Sequence, residues 1–113
     1  MSEHAARNVS IRFDEDGFLT DPDLWTQPLA ETLARDHGFD GLNPEQWRVI
    51  HWLRRHFYEF GTPPSAHQVC HDNGLPHDCI DGLFHRDLRA AWRIAGLPNP
   101  GEEAKTYMKE SDY

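Results

Sequence analysis

The side chains best suited to chemistry in this 113-residue chain are gathered between positions 67 and 79. His67, Cys70 and His71 stand three and four positions apart in a stretch that reads as one short helix, so all three share a face, and His77 and Cys79 follow closely. Imidazole and thiolate at that spacing are zinc ligands, and a site of His67, Cys70, His71 and Cys79 can be drawn. The set lacks a second defined ligand pair, however, and Cys70 packed as a small core residue beside two solvated histidines satisfies the same pattern, so no metal is assigned. Cys70 and Cys79, the only cysteines, are also candidates for a sulfur-handling pair whose thiols neighbouring histidines would activate, or for two inert residues. One disulfide between them is possible. A chain with six Phe, four Trp and three Tyr and no hydrophobic signal segment does not need it, and free thiols are expected.

Two cationic groups come next. Arg48, Arg54 and Arg55, with His51 and His56, lie within a helix-turn-helix-like stretch over 47–74 and suggest a nucleic-acid face. Against this stand a net charge of −8 and a second helix, 66–73, without Lys or Arg, so nucleic acid is not an expected partner. Arg86, Arg89 and Arg93 form a stripe that is either a solvated face or a docking surface for an acidic protein. No Gly-rich phosphate loop, Ser-His-Asp order or paired-carboxylate motif is visible, so enzymatic turnover and a cofactor are not expected.

The elements that must position these residues follow from pattern and punctuation. Val9, Ile11 and Phe13 alternate with polar residues, Asp14–Gly17 makes a turn and Phe18-Leu19 starts a return, which predicts a small N-terminal β-hairpin. A helix begins near Gln27, with Pro28 in its first turn, and stops at Gly38. Asn43-Pro44-Glu45-Gln46 carries a capping-box signature for a core helix reaching about Phe60, with Trp47, Ile50, Leu53, Phe57 and Phe60 on one stripe. Ser65 and Gln68 repeat the cap pattern for a helix ending near Gly74. A weaker helical segment over 77–85 and a last helix over 87–95 complete about five helices. Past Gly96, Pro98 and Pro100 hold Leu97 and Asn99 extended, which predicts a stiff, exposed arm. Trp92 is either core or a surface anchor. The expected organisation is a flexible 1–8, a single domain over 9–100 and a polar, disordered tail over 101–113.

The segment Arg93-Ile94-Ala95-Gly96-Leu97-Pro98-Asn99-Pro100 resembles the C-terminal signature of the DsrC/TusE family of sulfur-relay proteins. The resemblance continues through Asp16-Gly17-Phe18-Leu19-Thr20, Glu45-Gln46-Trp47, Val49-Ile50, Leu53-Arg54, Tyr58-Glu59, Gly61 and Pro64, and covers roughly residues 10–100. It implies a mainly α, orthogonal helical bundle with an N-terminal hairpin, and an arm that inserts into partners and carries sulfur on a terminal Cys, joined in the DsrC branch by a second Cys. Those positions fall on about Glu103 and on Trp92 in this chain. Neither side chain replaces a thiolate in persulfide transfer.

What the resemblance implies is therefore a non-catalytic DsrC/TusE-like protein of sulfur metabolism. It would act as a regulatory or docking partner of sulfur-relay or sulfite-reductase components through Arg86, Arg89, Arg93, Leu97, Pro98 and Pro100. The alternatives are a sulfur carrier using Cys70 or Cys79 and a DNA-binding regulator. A cytoplasmic monomer without a membrane span is expected.

Overall fold

The structure, a computed structural model, describes residues 10–110. A 3₁₀ turn over Pro22–Leu24 leads into six helices: α1 (Gln27–Asp36), α2 (Pro44–Phe60), α3 (Ala66–Asp72), α4 (Cys79–Phe84), α5 (Leu88–Ile94) and α6 (Glu102–Glu110). The fold is the expected helical bundle, with α5 at its hub, packed on α1, α2, α4 and α6.

Caps set most of the boundaries. The Thr26 hydroxyl accepts from Leu29 N–H at the start of α1 and places Pro28 in the first turn, where a missing N–H costs nothing. Asn43 and Gln46 satisfy each other's backbone N–H groups at 2.7 Å in a complete capping box. Gln46 is buried because its amide also donates to the Leu83 carbonyl, tying α2 to α4. The buried stripe of α2 is Gln46, Val49, Ile50, Leu53 and His56, with Trp47 and Phe57 half-buried. Phe60, expected on that stripe, is 60% exposed, with its ring against that of His56.

Two further expectations fail at the chain's ends. The N-terminal hairpin is reduced to one antiparallel bridge, Phe13 to Leu19. The Asp14 carboxylate accepts from Asp16 and Phe18 N–H and curls the segment into a capped loop, so Ile11 and Phe13 face solvent while Phe18 and Leu19 enter the core. Val9 and residues 1–8 lie outside the described residues. The polar tail is, over 102–110, the helix α6, which returns along α5 and buries Ala104 and Met108, four positions apart on one face. Burying a methionine side chain fully contributes about 1.5–3 kcal/mol, enough to hold so short a helix in place.

The clamped arm as candidate functional site

Helix α5 ends where an arm would leave the bundle, and two side chains from elsewhere seize its last carbonyls. The Trp25 indole donates to Ile94 O at 2.8 Å. Arg54 donates to Ala95 O at 2.8 Å and to Pro22 O at 3.1 Å, with its guanidinium 4.3 Å over the Trp25 ring. Burial pushes the Arg54 pKa down, against the opposing pull of Tyr58 and Asp23. Gly96 then turns the chain at φ +70°, and a Cβ there would overlap the Trp25 indole, so this position needs glycine on two counts.

The arm does not project. Trp92 is a core residue, and its indole N–H donates to the Pro98 carbonyl at 2.7 Å. Leu97 is fully buried, and Pro98 and Pro100 are half-buried. The extended backbone expected from the two prolines is therefore spent on packing rather than reach. Asn99 donates to Asp14 and Asp16 carboxylates at 3.0 and 3.1 Å and accepts from Gly101 N–H, which launches α6. Lys105 locks the return, 2.6 Å from Asp16 and 2.9 Å from Glu102. The Lys105 and Asn99 hydrogen bonds hold the Asp16 carboxyl below its usual range, and Asp16 and then Glu102 raise the lysine. Glu103 lies exposed on α6.

The arginine stripe is broken by backbone geometry. Arg86 precedes α5 in left-handed conformation at φ 66° and sits 3.7 Å from Asp81. Arg89 is held in a two-point contact by Asp87, both bonds 2.9 Å. Arg93 turns inward, donating to Asp16 O at 3.0 Å and covering the Phe18 ring at 4.5 Å. The cluster on α2 is dispersed too. Arg54 serves the arm, Arg48 donates to Asn73 O, His51 packs between Trp25 and Trp47, and His56 packs between Trp52 and Phe60.

Cys70 and Cys79 are joined in a disulfide, correcting the expectation of free thiols. The packing of α3 on α4 brings their Cα atoms to 5.7 Å, inside the bonding range, and both residues are buried. The drawn zinc site dissolves with it. His67 and His71 stack on each other at the surface, and no metal-holding cluster exists among the described residues. No helix among those residues is long and apolar enough to cross a membrane.

Sequence reasoning missed the Trp25–Arg54 grip and α6. The signal for α6 was present as Glu102 and Glu103 at one end, Lys109 at the other and Ala104 and Met108 on one face. The partners of Arg54 lie 32 and 41 positions away, and no local pattern reports them.

Comparison with known proteins agrees with this architecture. The family model described as "DsrC like protein" matches residues 5–102. The chain is 30% identical over 98 residues to the sulfurtransferase TusE of Escherichia coli K12, covering 80% of this chain and 89% of the relative. It superimposes on the oxidised gamma-subunit of dissimilatory sulfite reductase, DsrC, from Archaeoglobus fulgidus with a TM-score of 0.72 at 33% identity, over 85% and 94% of the two chains. The NMR structure of Allochromatium vinosum DsrC gives 0.70 at 25% identity, over 81% and 88%. With its signature residues, its bundle and these relatives in agreement, the chain belongs to the DsrC-like family of sulfur-relay proteins.

Proposed function

We propose that this protein serves sulfur metabolism as a docking or regulatory member of its family, binding relay or sulfite-reductase-type components without carrying sulfur on its arm. The observation that carries this reading is the clamped, thiol-free arm. Trp92 fills the core and grips Pro98, Leu97 is buried, and Glu103 stands where a carrier needs a thiol. Such a chain keeps the family's shape while lacking the nucleophile, which suits a competitor for a carrier's binding place. Arg86, Arg89 and Arg93, with the short Leu97–Pro100 segment, are the proposed contact region, and the cytoplasm its proposed setting.

A second reading, sulfur carriage through Cys70 or Cys79, is favoured by the sulfurtransferase name of the relatives and by Cys79, which borders a surface cleft with Glu45, Leu75 and Asp78. It requires the disulfide to be reduced first. Binding of the purified chain to sulfur-relay proteins of its own source cell separates the two. The docking reading expects a Cys70→Ala, Cys79→Ala double variant that retains native helicity to bind as the unmodified chain does, and Arg89→Glu, Arg93→Glu to weaken the complex. Binding that requires either cysteine and ignores the arginines would select the carrier reading.

A further inference from the structure

The only two lysines of the chain, Lys105 and Lys109, both lie on α6, beyond residue 102 where the family match ends. Across from them stand Arg89 and Arg93, and the four cations line one groove of about 390 Å³ together with Asp16, Glu102 and Thr106. Four of the chain's eleven basic side chains thus face one space, in a protein whose net charge is −8.

Their internal compensation is unequal. Arg89 has Asp87, and Lys105 has Asp16 and Glu102, which hold its side chain in place at only 13% exposure. Arg93 gives its Nε–H to a neutral carbonyl, and among the described residues no carboxylate lies in ion-pair range of Arg93 or Lys109. Burial and then the nearby Arg89 charge push the Arg93 pKa down, against the opposing pull of Asp87, Asp16 and Asp14.

We propose that the groove between α5 and α6 is a binding site for a small, free tetrahedral oxoanion, held by Arg93 and Lys109 with Arg89 and Lys105 behind them. The class follows from the surroundings. A doubly charged tetrahedral ion offers several acceptors to converging donors and relieves the Arg93–Arg89 repulsion. A nucleic acid or an acidic peptide would bring further negative charge against Asp14, Asp16 and Glu102 and against the −8 of the whole chain. The site goes beyond the docking role: it shares Arg89 and Arg93 with the proposed contact region, while its other two cations, Lys105 and Lys109, come from α6 beyond the end of the family match.

Titration of the full, nitrogen-15-labelled chain with inorganic sulfate and with inorganic phosphate, at ionic strength held constant with sodium chloride, tests this by amide shifts. Saturable shifts confined to residues 89–93 and 102–109 are expected, with affinity falling about tenfold in Lys109→Gln, the worth of one charge-assisted hydrogen bond. Arg55→Gln, an exposed change elsewhere, should leave the affinity unaltered. Shifts that fail to saturate, spread over the surface, or persist equally in Lys109→Gln would overturn the proposal. Lys109 is exposed, so loss of folding does not confound that variant.

Discussion

The α3–α4 corner and the α5–α6 turn solve one problem, holding a short helix onto the bundle, by opposite means. The corner uses a covalent bond between Cys70 and Cys79. The turn uses an indole, a buried leucine, an asparagine bridging two aspartates and a clamped lysine. Here the two cysteines stiffen the scaffold as a disulfide, and the Leu97–Pro100 segment lies packed against it.

If the turn depends on close steric fit, its most sensitive point is Gly96. Gly96→Ala meets both the left-handed backbone and the Trp25 ring, and should cost about 3 kcal/mol or more, read as a drop of over ten degrees in the melting midpoint. Met108→Ala should cost about 2–4 kcal/mol in urea unfolding and release α6 to rapid hydrogen exchange while leaving α3 protected. At the corner, reduction of the disulfide should lower stability by about 2–3 kcal/mol and raise exchange over α3 and α4 rather than α6. An effect of reduction centred on α6 would erase the contrast.

The smallest effect concerns His37, whose Nε2 is buried without a partner at the end of α1. Burial and then the Arg93 charge lower its pKa below the ordinary 6.5. The unfolded chain therefore takes up a proton before the folded one, and stability contributed by the neutral ring is present above 6.5 and declines as pH falls below it. Because the residue is only part-buried, the step should be small, and His37→Gln should remove it from a plot of melting midpoint against pH.

Much of the scaffold was legible because caps and periodicity are local. Gln27–Pro28, Asn43–Gln46 and Ser65–Gln68 announce three helix starts that the backbone honours. The site was less so, for three reasons. Side-chain direction depends on distant partners, as when Arg54 and Arg93 turn inward to carbonyls. Two cysteines nine positions apart acquire their meaning only when α3 and α4 pack. The Leu-Pro-Asn-Pro segment fixes an extended backbone without specifying whether it leaves the surface or lies against it.

The central claim, that this family member does not hand sulfur on, is tested most directly by following labelled sulfane sulfur from a persulfide donor to an acceptor protein, with the chain present as isolated and after reduction. The account predicts that transfer never exceeds that given by the Cys70→Ala, Cys79→Ala variant, and that mass spectrometry finds no added sulfur on residues 90–113. Label that accumulates on Cys79 after reduction and passes to the acceptor would contradict it and make the corner, rather than the arm, the working part of the molecule.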